Sequence, residues 1–422
     1  MEIEVSALGA IIGLIISIVM ILKKIPPVYG LMAGALIGGL IGGTNIVDTV
    51  SLMVSGAQGI IPSVLRILAA GILAGILIES GAAAKIAQSI VMKFGEKRAL
   101  LALALATMFL TAVGVFVDVA VITVAPIALV IASNAGLSRM AILLAMVGGG
   151  KAGNVMSPNP NTIAVSDAFE VPLISVMGAG VVPAIFGIIA TYVIAKKISS
   201  RGTMIEEKEI EHSEENTLPS LLTSLLGPIV AIILLALRPL FDINIDPIIA
   251  LPVGGLIGII AMGQWRKTND YIKTGLEKMA PVAILLIGTG TLAGIIQNSS
   301  IDTVLISALE GLGLPAFSLA PVSGIFMSGA TASTTAGATV ASSVFASTLL
   351  EMGVAALGGA AMIHAGSTVI DHMPHGSFFH ATAGSVGMQI KERLKLIPYE
   401  TLVGLTIAIV STIIYGIIPL FF

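Results

Sequence analysis

Cysteine is absent from all 422 residues, which excludes disulfides, thiolate-ligated zinc and thiol catalysis. Charge is almost as scarce: Asp, Glu, Lys and Arg make up 11% of the chain, against roughly 25% in a soluble domain. The 21 Lys and Arg against 24 Asp and Glu give no basic surface for nucleic acid. Aromatic residues are 5%, with one Trp. What fills the chain instead is 56% hydrophobic residues and 47 glycines, with a mean hydropathy of +1.04. That composition is an all-α polytopic membrane protein, surrounded by lipid. The chain starts Met-Glu-Ile-Glu and places Lys23 and Lys24 after its first apolar run, the reverse of a cleavable signal peptide, so residues 5–22 read as a retained first crossing.

Apolar runs near 5–22, 28–43, 60–78 and 171–195 are long enough to cross a hydrocarbon core that takes roughly 20 helical residues. A further crossing over 140–168 contains Gly-Gly-Gly-Lys-Ala-Gly-Asn-Val-Met-Ser-Pro-Asn-Pro-Asn-Thr, from Gly148 to Thr162. Glycines that loosen the backbone, Pro158 and Pro160, which lack amide donors, and asparagines that supply replacement hydrogen bonds predict a helix broken inside the membrane. The second half repeats the plan. Crossings fall near 220–237, 247–263, 281–297 and 396–418, and a broken one over 354–390 is interrupted at Ala365–Gly376 by Ala-Gly-Ser-Thr-Val-Ile-Asp-His-Met-Pro-His-Gly. Two breaks at matching places point to a transporter's binding site. Ala99–Ala132, with Gly114 and Asp118 in its middle, and the stretch near 315–350, with Ser328–Gly337 at its tip, read as re-entrant hairpins because each arm is too short to span. Ala293-Gly294-Ile295 echoes Ala74-Gly75-Ile76, Gly366 echoes Gly153, and Pro374 echoes Pro160.

Charge gives an independent test of the topology. With the N-terminus outside and five crossings per half, 18 of the 21 basic residues fall in cytoplasmic loops, leaving Arg66, Lys151 and Arg238. An odd number of crossings inverts the second half, so the first hairpin enters from the cytoplasm, the second from outside, and both termini face out. The expected organisation is two inverted repeats, each of about five transmembrane helices (one broken) plus a re-entrant hairpin. They occupy residues 1–197 and 219–422, and an acidic, solvated cytoplasmic linker, 198–218, joins them.

Eleven helical residues from Met140 place Lys151 near the membrane midplane, where a lysine costs about 2.5–3.5 kcal/mol and needs a polar cavity or a partner. It reads either as a structural ion pair with Asp118 or as an attractor for an anionic substrate. Past Pro160 the chain can restart as a half-helix whose amides at Asn161 and Thr162 would receive a carboxylate. The Thr331–Thr335 tip offers hydroxyls at the same depth, or small residues for close helix packing. Asp118 reads as the N-cap of its hairpin arm or as a proton carrier. His364, near the midplane, reads as a hydrogen-bonded interior residue or a functional one. His364, His372, His375 and His380 fall within 17 residues, together with Asp371. Metal ligation there is disfavoured, because Pro374 and Gly376 deny Asp371, His372 and His375 a regular helix face.

Gly-Gly-Gly-Lys-Ala-Gly-Asn with Ser-Pro-Asn-Pro-Asn-Thr-Ile-Ala, and Asp-His-Met-Pro-His-Gly-Ser-Phe-Phe-His before Ile-Pro-Tyr-Glu-Thr-Leu, resemble the gluconate permease family of the ion transporter superfamily. The resemblance spans nearly the whole chain. It implies proton-coupled uptake of a small hydroxycarboxylate such as gluconate across a bacterial inner membrane, by a homodimer in which elevator-like transport domains move against a scaffold. Sodium-coupled relatives carry Ser-Asn-Thr at both hairpin tips. Here the tips read Val113-Gly114-Val115-Phe116-Val117-Asp118 and Ala332-Ser333-Thr334-Thr335, which favours protons. The candidate substrate contacts are Lys151, Asn154, Ser157, Asn159, Asn161, Thr162, Ser333, Thr334, Thr335, His375 and Ser377. The candidate proton-handling residues are Asp118, Asp371, His372 and His380. No metal and no cofactor is expected. The competing readings are a sodium/proton antiporter or sodium-coupled carboxylate transporter, and a membrane-embedded metal hydrolase.

Overall fold

The longest element is the 30-residue helix Thr268–Gln297, about 45 Å at 1.5 Å per residue. Helices Pro27–Ile41, Ile46–Gly59 and Ile61–Glu79 pack along it. The structure, a computed structural model, describes residues 4–95, 98–205, 218–301, 303–304, 307 and 311–418. Among these, six helices are long and apolar enough to cross a membrane, and five shorter apolar helices accompany them. Ala7–Leu22, Leu221–Phe241 and Pro247–Ala261 complete the group around the long helix. Its contacts are made close by glycine. A Cβ on Gly56 would meet the Gly290 carbonyl at 2.2 Å, and one on Gly75 the Tyr271 carbonyl at 2.2 Å, so the backbones touch where lipid supplies no hydrophobic drive for association.

A second group of helices packs on itself and carries both hairpins and both breaks. Ala99–Ala112 and Val117–Ala135 form the first hairpin, turned at Gly114 with φ +104°; its Val117–Ala135 arm, at 19 residues, is long and apolar enough to cross, where the sequence reading took each arm as too short. Leu319–Thr331 and Thr334–Glu351 form the second, turned at Ala332 with φ +48°, a left-handed conformation unusual for a side chain larger than hydrogen. The first broken crossing consists of Arg139–Asn154 and Pro160–Ala168, the second of Ala356–Gly366 and Ser377–Ser385. Leu173–Lys197 and Ile390–Thr412 close this group.

Several boundaries differ from the sequence reading. The crossings expected from 281 and 396 begin at Thr268 and Ile390, so Lys273 and Lys278 on the one and Lys391, Arg393 and Lys395 on the other belong to the helices rather than to loops. Arg393, counted among the loop cations, is completely buried. Gly148, Gly149, Gly150 and Gly153 do not loosen the chain. They lie within the regular helix Arg139–Asn154, and the break is confined to residues 155–159. Their lack of a Cβ serves close approach instead: on Gly149 it would meet the Ala104 carbonyl at 2.0 Å, and on Gly153 the Met108 carbonyl at 2.1 Å. The linker expected to be solvated from residue 198 is anchored at two points of its start, where Ile198 and Ile205 are buried, while the exposed Thr203 between them donates from its amide to Glu392. Its acidic run from Glu206 to Glu215 lies outside the described residues.

Candidate functional site

The two breaks meet. Lys151, at the end of the first half-helix, extends its ammonium to Asp371 Oδ1 at 2.5 Å, to the Thr368 carbonyl at 2.5 Å and to His372 Nδ1 at 2.9 Å. All three of its N–H donors are used, and the side chain is 1% exposed. The structural partner is therefore Asp371, not Asp118, and the ammonium faces the second break rather than an open cavity. The other oxygen of Asp371 accepts from Thr334 Oγ1 at 2.5 Å, which ties the second hairpin's tip to the pair.

Behind Asp371 the charged cluster continues. His372 Nδ1 lies 3.0 Å from Asp371 Oδ1 and 3.8 Å from Glu400 Oε2. Its Nε2 lies 3.1 Å from the Ile397 carbonyl and 3.2 Å from Thr401 Oγ1. Glu400 takes two hydrogen bonds from Arg393, at 2.5 and 3.1 Å, and the Arg393 guanidinium sits 4.9 Å from the centre of the Phe379 ring. Sequence reasoning missed Arg393, Glu400 and Thr401. The available signal was an opposite-charge pair seven residues apart on one apolar helix, which places both on one face.

A cavity of about 780 Å³ opens in front of this cluster. Asn154, Asn159, Asn161, Ser333, Thr334, Thr335, Ser377, Asp118 and Asp371 line one side. The long helix supplies the opposite wall, from Glu277 and Lys278 to Leu285, together with Pro26 and Pro27. Five helices begin at this cavity: Pro27–Ile41 in the facing wall, and Val117–Ala135, Pro160–Ala168, Thr334–Glu351 and Ser377–Ser385 from the hairpins and breaks. Each helix N-terminus carries about half a positive charge and unpaired amides. At Pro160–Ala168 the amides of Asn161 and Thr162 are not free, because both donate to Asn159 Oδ1, at 2.9 and 3.0 Å. Asn159 also donates to the Asn154 carbonyl at 2.8 Å, across the break. The Asn161 side-chain oxygen is buried without a partner. Ser333 caps the amide of Ala336, whereas the helices starting at Val117 and Ser377 have no side-chain cap.

The remaining substrate candidates do not line the cavity. Thr162 is buried with its hydroxyl on Asn159, and Ser157 is buried with its hydroxyl unbonded. His375 and His380 spend their Nε2 atoms on the carbonyls of Ala330 and Pro374, at 3.2 and 2.9 Å, and neither lines the cavity. Asp118 occupies the first turn of its arm, whose N-cap is Phe116, so it is not the cap. His364 is not hydrogen-bonded. Both ring nitrogens lack partners beside the equally unbonded Ser411 hydroxyl. Among the described residues no three His, Asp or Glu side chains converge as a metal site, and the Lys151 ammonium already sits where Asp371 and His372 come together.

A second cavity, of about 540 Å³, lies along the next stretch of the long helix, Leu286 to Asn298, lined by Ser55, Ser63, Asp167 and Ser343 among others. Near it Arg66 joins three elements: it pairs with Asp246, the N-cap of Pro247–Ala261, at 2.7 Å, and with Asp167 in Pro160–Ala168.

The profile of the GntP family permeases matches residues 3–418. An uncharacterized transporter of Haemophilus influenzae is 65% identical over 413 residues, covering 98% of this chain and 99% of the other. The high-affinity gluconate transporter of Escherichia coli is 23% identical over 365 residues, covering 79% and 82%. In fold, the chain is similar to the crystal structure of the Alcanivorax borkumensis YdaH transporter, with a TM-score of 0.59 at 16% identity over 91% and 90% of the two chains. A membrane-spanning helical fold, two broken crossings meeting at a polar cavity and this match along nearly the whole sequence lead to one conclusion: the chain belongs to the GntP family of permeases and is a membrane transporter, not an enzyme.

Proposed function

We propose that the protein is a proton-coupled symporter of a small hydroxycarboxylate across the bacterial inner membrane. The observation that carries this reading is the convergence of helix N-termini on one cavity lined with hydroxyls and amides, those at Val117 and Ser377 without a side-chain cap. Such ends stabilise an anion without a free lysine, and Asn161, Ser333, Thr335 and Ser377 suit the hydroxyls of a sugar acid. The name of the Escherichia coli relative, a gluconate transporter, points the same way. The Lys151, Asp371 and His372 cluster supplies groups for the proton. An anion held beside Asp371 makes a nearby added proton more favourable, and by reciprocity the proton tightens the anion.

In this reading Lys151 neutralises Asp371 instead of touching substrate. The two halves, 1–197 and 219–422, are inverted repeats joined by a cytoplasmic linker, 198–218, and both termini face out. The repeated order of hairpin, broken crossing and closing helix supports that division. The group carrying the hairpins and breaks moves against the group around Thr268–Gln297, within a homodimer, and the two cavities along that helix fit access from either side. Purified protein in liposomes should accumulate gluconate or a close analogue when an inward proton gradient is imposed, and glycerate, lactate, citrate and amino acids rank its selectivity. Accumulation that follows a sodium gradient and ignores the proton gradient overturns the coupling. Failure of every hydroxycarboxylate to be carried overturns the substrate class.

A further inference from the structure

His372 is held in a way that fixes where its hydrogen lies. The Ile397 carbonyl, 3.1 Å from Nε2, can only accept, so Nε2 carries the hydrogen and Nδ1 presents a lone pair. Lys151 donates to that lone pair at 2.9 Å. In this state the buried cluster is electrically balanced, with Lys151 and Arg393 against Asp371 and Glu400. A proton added to Nδ1 would point at Lys151, and the two donors would repel. It would also face two carboxylate oxygens, Asp371 Oδ1 at 3.0 Å and Glu400 Oε2 at 3.8 Å. Among the described residues, the charged groups facing the ring are thus Lys151 from Arg139–Asn154, Asp371 from the break, and Glu400, backed by Arg393, from Ile390–Thr412.

Asp371 lines the substrate cavity, whereas His372 and Glu400 do not. Glu400 is 0% exposed and gripped through both oxygens by Arg393. A buried ion pair of this kind is weak evidence for a stabilising role, since apolar replacements are often as stable. The geometry points to Glu400 as the positioning residue for the coupling proton: anchored by Arg393 behind the second break, its carboxylate supplies the counter-charge that lets His372 Nδ1 take up the proton as Lys151 swings off the ring, one layer behind the substrate. No bond other than N–H forms. The proton enters from water and leaves to water, and Lys151 keeps Asp371 and the Thr368 carbonyl as acceptors.

This inference rests on the proton-coupled reading, and the experiment separates the two. Uptake driven by a proton gradient is measured against pH in liposomes for the native protein, Glu400→Gln and Glu400→Asp, with gluconate counterflow as the control for a folded carrier. Removing a negative charge this close to the ring should move the midpoint of the pH profile to lower pH by about one unit or more, and Glu400→Asp should restore most of the native profile. If Glu400→Gln does not fold, Glu400→Gln with Arg393→Gln removes both buried charges and leaves none stranded, and a shift in the same direction is expected, smaller because the Arg393 charge is lost as well. A pH profile that coincides with the native one in whichever of these variants folds overturns the role of Glu400 and leaves coupling intact. A native protein whose uptake ignores the proton gradient overturns both.

Discussion

Lys151 shows how far a residue's cost in lipid can be read from sequence. Its need for a partner was legible from its place in an apolar crossing, and the structure gives it three. The identity of the charged partner was not legible, because Asp371 lies 220 positions away and reaches it only once two breaks are brought together. The consequence is a prediction opposite to that of a substrate-binding lysine. Lys151→Met strands the Asp371 carboxylate, whose side chain is 7% exposed, and breaking a buried pair from one side typically costs about 3–5 kcal/mol. The double variant Lys151→Met with Asp371→Asn leaves no stranded charge and should recover most of that loss. Thermal unfolding of the purified variants in detergent measures it. Additive losses in the double variant would mean the two side chains are not energetically coupled.

Among the elements, the half-helix Arg139–Asn154 carries the clearest difference between a pattern and its meaning. Three successive glycines beside two prolines read as one weak stretch, yet proline and glycine act in different ways here. Pro158 lies in the break and Pro160 opens the half-helix beyond it, since neither can donate to a preceding turn. The glycines are held in helical geometry by neighbours that need their missing side chains. Periodicity and composition show that glycine is present, but not which backbone approaches it, so the hairpins and breaks were legible as units while their packing was not. Gly153→Ala would put a methyl group about 2.1 Å from the Met108 carbonyl, and overpacking of this sort costs typically 1–3 kcal/mol. Gly178→Ala, with nothing within 4 Å, serves as the comparison: there the better helix propensity of alanine should leave stability unchanged or raise it by up to about 1 kcal/mol. Unfolding temperatures of the two variants should therefore shift in opposite directions or differ by several degrees, and equal shifts would show that the Gly153 contact yields easily.

For the whole molecule, the question is which parts move together. The site is built almost entirely by one group of helices, while the long helix Thr268–Gln297 provides the facing wall of both cavities. If the site travels along that helix, contacts across the boundary must break in each cycle and contacts within the group must not. The absence of cysteine makes this testable with introduced pairs. Gln297 Nε2 and the Ser343 carbonyl lie 3.5 Å apart, across the boundary between the long helix and the second hairpin. Thr203 and Glu392 are hydrogen-bonded at 2.8 Å inside the site-bearing group. A short thiol-to-thiol crosslinker applied to Gln297→Cys with Ser343→Cys should reduce uptake to background, and cleaving the link should restore it. The same treatment of Thr203→Cys with Glu392→Cys should leave most uptake in place, because both positions ride together. Should both links block transport equally, the groups do not separate along this boundary; should neither block it, the long helix moves with the site, and access must alternate by smaller motions of the hairpin tips at Gly114 and Ala332.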